Sequence, residues 1–212
     1  MAASVTTDVA VVELRQYTLV AGRRDEMIAI FERHFIESQE EAGMRLLGHF
    51  RDLGDPNRFV WLRGFRDMPS RRAALEAFYG SELWFEHRDA VNETIVDSDD
   101  VLLLRPAAEL SPGARPANGR GSFTAAIWPL AEPVSPETIG VLADVLAEAG
   151  ATTAALLVTE PSENDFPRLP VREGENVVVW LGHVDDEAGL DSTHAGPPQT
   201  LRLAPCARSA VR

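Results

Sequence analysis

Apolar and polar residues alternate over Val11–Leu19 (V-V-E-L-R-Q-Y-T-L), the period-two pattern of a strand, yet one of its faces carries Glu13, Arg15 and Tyr17. Ala21-Gly22 then makes a turn and the period changes. Met27, Ile28, Phe31 and Phe35 form one apolar stripe within Arg23–Glu41, which predicts a helix stopped by Gly43. Arg45–Asp52 and Arg58–Phe65 predict two strands, joined as a hairpin through the Gly/Asp/Pro/Asn turn Leu53–Asn57. Met68-Pro69-Ser70 opens a helix over Arg71–Tyr79, and Ser81 caps a second one that ends near Thr94. Val101–Arg105, just ahead of Pro106, is a short apolar run of the kind that forms a buried strand. The resulting order, β-α-β-β-α-β, is ferredoxin-like.

Residues 107–122 are rich in Pro, Gly, Ala and Ser and read as a linker. The pattern then starts again. Phe123–Leu130 predicts a strand, Ser135 caps a helix with Pro136 at its first position and Gly150 at its end, and Thr152–Thr159 predicts another strand. After a Pro-rich excursion, Glu160–Glu175, the segment Asn176–Val184 can be laid on Asn57–Phe65 with four identities, in Asn, Val, Trp and Leu. A helical remnant around Asp185–Thr193 and a strand at Thr200–Ala204 complete the series. The expected fold is therefore α+β, two tandem ferredoxin-like units packed as an α+β barrel. Its parts are residues 1–106, the linker 107–122, and a degenerate second unit 123–212; two unrelated α+β halves are the alternative.

Composition narrows the partners. With 20 Lys plus Arg against 33 Asp plus Glu, the net charge of −13 argues against nucleic acid and against an anionic membrane surface. Cys206 is the single cysteine, which rules out an intramolecular disulfide and any cluster of cysteine metal ligands. The N-terminus has no basic region followed by a long apolar run, and no window approaches the roughly eighteen apolar residues of a membrane span, so a cytoplasmic protein is expected. No phosphate-binding glycine loop, nucleophile elbow or H-x-x-x-H spacing is present, so neither a cofactor nor a metal is expected. The acidic run Asp97, Asp99, Asp100 reads as a solvated turn.

The opening Glu13-Leu14-Arg15-Gln16-Tyr17-Thr18, Trp61 in the third strand, and the segment from His87 to Pro106 that closes on D-S-D-D-V-L-L-L-R-P together resemble the NIPSNAP family. The resemblance runs from about Val11 to Pro106. It implies the dimeric α+β barrel architecture, in which two ferredoxin-like units pack their sheets face to face. It transfers no reaction.

Alternation places Val12, Leu14, Leu46, Phe50, Val60 and Leu62 on one face of the first sheet, apolar enough to lie under helices. The opposite face, expected to line the barrel interior, gathers Glu13, Arg15, Tyr17, Leu47, His49, Arg51, Phe59, Trp61 and Arg63. Such a wall suits a small-molecule site. Arg15 with Arg51 or Arg63 would hold an anionic or carbonyl group, His49 and Tyr17 would exchange protons, and Phe59 and Trp61 would stack on a ring. His34 and His87 are placed to reach the end of the sheet or the barrel mouth, and Glu13 completes the ligand-binding set. The alternative for the same residues is a cross-strand ion-pair ladder with no ligand. The corresponding function is a small-molecule-binding barrel, with cofactor-independent acid–base catalysis on an apolar or aromatic substrate as its enzymatic form. A non-catalytic interaction module with a side-chain-filled barrel is the rival, a haem-binding variant is a third reading, and a homodimer paired through sheet edges or faces fits each.

Overall fold

The computed structural model describes residues 9–107, 122–192 and 195–210. Residues 1–8, most of the expected linker and His194 lie outside the described residues. The first half runs β1 (Val11–Leu19), α1 (Arg24–Ile30), a π-helical turn (Phe31–Phe35), α2 (Ile36–Glu41), β2 (Arg45–Asp52), β3 (Arg58–Phe65), α3 (Met68–Tyr79), α4 (Glu82–Asn92) and β4 (Ile95–Pro106). The second half runs β5 (Phe123–Leu130), α5 (Pro136–Glu148), β6 (Thr152–Thr159), β7 (Asn176–His183), a 3-10 turn (Glu187–Leu190) and β8 (Gln199–Pro205). Caps explain several boundaries. Asp67 accepts from the Ser70 amide at the start of α3, Ser81 from Trp84 at the start of α4, and Ser135 from Thr138 at the start of α5.

The eight strands close into one antiparallel barrel in the order β1-β3-β2-β8-β5-β7-β6-β4. Each half contributes the same internal order, β4-β1-β3-β2 and β8-β5-β7-β6. Two short seams join them, Phe50–Asp52 of β2 to Leu203–Pro205 of β8 and Leu104–Pro106 of β4 to Leu157–Thr159 of β6. The sheet edges and apolar faces of the two halves are therefore paired within one chain. β4 begins six residues ahead of the apolar run Val101–Arg105 because β1 pairs with it as far as Ile95, opposite Leu19, so the acidic stretch at Asp97–Asp100 is strand and not turn.

The packing reverses the two faces. Val12, Leu14, Phe50, Val60, Leu62 and Leu102 meet Phe123, Ile127, Val179 and Leu203 inside the barrel, where the apolar faces of both halves form one buried cluster. An eight-stranded barrel has an interior just wide enough for side chains to fill, and the apolar faces of both halves fill most of it, with Gln16 and Gln199, hydrogen-bonded at 3.1 Å, on the same face. The polar and aromatic face lies outside, under α1–α4, as Tyr17, Phe59 and Trp61 show by packing with Met27, Phe31, Phe35, Leu75 and Phe78. The outer face of the second half, Ala126, Trp128, Val178 and Trp180, lies against Leu142 and Leu146 of α5.

In β2 strict alternation fails at a register shift between Leu46 and Gly48. Leu46 pairs with Arg63 and joins the outer cluster, contrary to its expected place with Val60 and Leu62, while Leu47 packs against the interior cluster. Among the described residues no helix is long and apolar enough to cross a membrane.

Candidate functional site

Glu13 is the centre of the outer face. Its carboxylate is fully buried and takes Arg15 Nη1 and Arg63 Nε on Oε2, at 2.7 and 2.8 Å, and Arg71 Nε on Oε1 at 2.7 Å. Arg15 comes from the same strand, Arg63 from directly across β3, and Arg71 from α3, whose first turn is fixed over the sheet by the Asp67 cap. Burial pushes the Glu13 carboxyl upward, but Arg63, Arg15 and Arg71 together outweigh it and hold it well below the ordinary carboxylate range. Arg71 also reaches Asn164 and Asp165 of the Glu160–Glu175 excursion. Two carboxylates thus face three guanidinium groups, an excess of one positive charge. Among the described residues Arg63 Nη2 and Arg71 Nη2 have no aligned acceptor, and Arg63 Nη1 donates to Gln39 and Met44.

Beside this cluster is a cavity of about 190 Å³, half open to solvent. Tyr17 and Trp61 of the sheet form its floor, Phe31, Phe35, Phe78 and Trp84 of the helices its walls, and Phe166 and Leu169 of the excursion close one side. Phe166 stacks on Tyr79, so a segment of the second half completes a cavity of the first. Arg15 donates from Nε to the Tyr17 hydroxyl at 3.1 Å, and its guanidinium lies over both the Tyr17 and Trp61 rings. Burial raises the Tyr17 phenol above its ordinary value, Arg15 opposing, so at neutral pH it is a neutral hydroxyl with its own proton to give. Trp61 Nε1 is buried and has no partner among the described residues.

The expected site residues divide. Glu13, Arg15, Tyr17, Trp61 and Arg63 come together, with Phe59 packed behind Phe31 at 5.4 Å between ring centres. Arg51 turns away and pairs with Asp25 at 2.8 Å near the surface. His49 does not line the cavity: Phe31 stands between them, 5.2 Å from the His49 ring and 5.0 Å from Trp61. His49 Nε2 lies 3.0 Å from Glu32 Oε1. His34 and His87 lie against each other, ring centres 3.8 Å apart and tilted by 34°, where the π turn meets α4, and neither lines the cavity. The cross-strand ion pairs of the alternative reading are therefore present, and the cavity lies next to them. Missed from the sequence were Arg71, which α3 brings 58 residues along the chain to Glu13, and the contribution of the excursion.

Among the described residues the second half has no counterpart of this site. Trp180 faces Ala126 across β7 and β5 as Trp61 faces Arg15, and in the same register Thr124 and Gly182 stand where Glu13 and Arg63 stand. Trp128 takes the place of Tyr17.

A closed α+β barrel with a buried arginine–carboxylate cluster and an aromatic cavity under the helices of one half is the class these features define. Residues 12–111 match the NIPSNAP family model, and this part of the chain is a NIPSNAP domain. An uncharacterized NIPSNAP-like domain protein from Burkholderia xenovorans is 27% identical over 50% of this chain and 91% of its own, with a TM-score of 0.44. An uncharacterized NIPSNAP domain protein from the same organism is 24% identical over 46% of this chain and 95% of its own, with a TM-score of 0.42. A candidate monooxygenase from Lactobacillus acidophilus NCFM is 11% identical but covers 93% of this chain and 94% of its own, with a TM-score of 0.55, a likeness of fold alone. No curated protein matches the chain.

Proposed function

We propose that this protein binds a small aromatic or unsaturated molecule bearing a carbonyl oxygen in the cavity between its N-terminal sheet and helices. The observation that carries this reading is the pairing of an aromatic box with two buried donors, the Tyr17 hydroxyl and Trp61 Nε1. A cavity of about 150 Å³ takes benzene, so about 190 Å³ suits a single substituted ring. In its enzymatic form the site is cofactor-independent. Tyr17 gives a proton or hydrogen bond to the carbonyl oxygen, and the excess positive charge of the Arg15, Arg63 and Arg71 cluster behind it stabilises the enolate-like charge that develops.

Intrinsic fluorescence tests this, because Trp61 and Trp84 both line the cavity. Titration with acetophenone and with ethylbenzene, its carbonyl-free counterpart, is expected to show tighter binding of the ketone, and Tyr17→Phe is expected to erase most of the difference. An unchanged preference in Tyr17→Phe sinks the reading. The rival, a non-catalytic interaction module, draws support from the filled barrel interior. Binding of neither compound would favour it.

We also infer that the two halves descend from one ferredoxin-like unit, divided at 107–122. The repeated strand order and the matching places of Trp61 and Trp180 support this.

A further inference from the structure

On the far side of Phe31 from the cavity, three side chains from distant parts of the chain converge. Glu32 lies in the π-helical turn, His49 in β2, and Cys206 just after β8, and their donor atoms all lie within 4.8 Å of one another. We propose that Glu32, His49 and Cys206 are the protein ligands of a zinc ion.

The donor set is that of zinc: a thiolate, an imidazole and a carboxylate, three protein ligands with the fourth position left open. Metal–ligand bonds of about 2.0–2.3 Å at tetrahedral angles separate neighbouring donors by roughly 3.3–3.6 Å. His49 Nε2 and Glu32 Oε1, 3.0 Å apart, are already near that spacing. On loading, the thiol of Cys206 gives its proton to solvent, and the resulting thiolate and the Glu32 carboxylate balance the two charges of the ion. The loaded site thus carries no net charge, which avoids the cost of an unpaired buried charge.

The surroundings hold the ligands as metal sites require. The Arg208 amide donates to Glu32 Oε1 at 2.8 Å, the Cys206 amide to the His49 carbonyl at 3.0 Å, and Ser209 Oγ accepts from the His49 amide at 3.1 Å. The first orients the carboxylate, as outer hydrogen bonds at metal sites do, and the other two tie the backbones that carry His49 and Cys206 to each other. The π turn is a second sign, since such turns inside α-helices are frequent at functional sites. Here it keeps Phe31 and Phe35 both in the core while Glu32 meets the end of β2. His49 and Cys206 are almost fully buried and Glu32 is 16% exposed, so the open position faces solvent beside Glu32.

The test uses the full chain, stripped with a chelator and titrated calorimetrically with zinc sulfate. One ion per chain is expected, with a rise in melting temperature. Cys206→Ser and His49→Ala should each weaken binding by at least about tenfold, the loss seen even for outer-sphere partners. Cobalt(II) loading should produce a tetrahedral spectrum with a sulfur-to-metal charge-transfer band, absent in Cys206→Ser. No binding by the stripped wild-type protein overturns the proposal, as does equal binding by Cys206→Ser. Loss on His87→Ala with retention in Cys206→Ser would put the metal on the His34–His87 pair, and also overturns it. Should Cys206→Ser not fold, the cobalt spectrum of the wild-type chain decides: a thiolate band supports the site, and tetrahedral cobalt without one overturns it.

Discussion

Glu13 and Arg63 stand directly opposite each other on β1 and β3, with Arg63 Nε 2.8 Å from Glu13 Oε2 and neither side chain reaching solvent. A carboxylate so placed is tolerable only because Arg15 and Arg71 share it. Replacing it by an isosteric amide leaves three buried guanidinium groups with one acidic partner, Asp165. Glu13→Gln is expected to destabilise the fold by about 3–5 kcal/mol, a fall in melting temperature of roughly 6–20 °C for a chain of this size. Urea and thermal melts measure it.

The same residue sets a pH dependence. Its folded pKa lies below the unfolded value of 4.5, so its contribution is present above that value and is lost as pH falls through the folded pKa. Unfolding free energy measured from pH 7 downward should fall faster below about pH 5 in the wild-type protein than in Glu13→Gln. Parallel curves would show that the carboxylate is not held by the arginines.

Phe50 is fully buried inside the barrel, edge-on to Phe123 with ring centres 5.9 Å apart. Phe50→Ala should cost about 3–5 kcal/mol. Ligand binding in the outer cavity, followed by tryptophan fluorescence under conditions where the variant is folded, should be unchanged, because the sheet lies between. A parallel loss of binding would place the site in the barrel interior.

Gly182 occupies in β7 the register position of Arg63 in β3. A Cβ there would come 2.1 Å from the Thr152 carbonyl oxygen and 2.5 Å from the Trp180 ring. Even Gly182→Ala must push β6 and β7 apart, and a loss of about 1–3 kcal/mol is expected. The close approach leaves no room to rebuild the arginine cluster in the second half.

Asp165 anchors to Arg71 the Glu160–Glu175 excursion, which lines the cavity through Phe166 and Leu169. Asp165→Ala removes a charge-assisted bond of about 1.5–3 kcal/mol. Faster amide exchange confined to residues 160–175 is the expected readout, with faster ligand release. Exchange unchanged there would mean that Phe166, stacked on Tyr79, holds the segment alone.

Local patterns were sufficient for the elements. Alternation at Val11–Leu19, the Ser81 and Ser135 caps and the Leu53–Asn57 turn are one-dimensional signals, and the strands and helices follow them. The NIPSNAP resemblance over the first half had a similar basis in short motifs. The extension of β4 to Ile95 and the bulge at Leu47 were not legible, because both depend on the neighbouring strand and not on the residues that carry them.

The candidate site was half legible. Alternation correctly gathered Glu13, Arg15, Tyr17, Trp61 and Arg63 on one face, since period two is a property of the backbone. Which way that face points is a property of the closed barrel: eight strands leave an interior that side chains must fill, the apolar faces of both halves meet there, and the charged face lies under the helices. Arg71, the excursion at Phe166 and the meeting of Glu32, His49 and Cys206 were decided by chain segments distant in sequence and adjacent in space, and no linear spacing encodes such contacts.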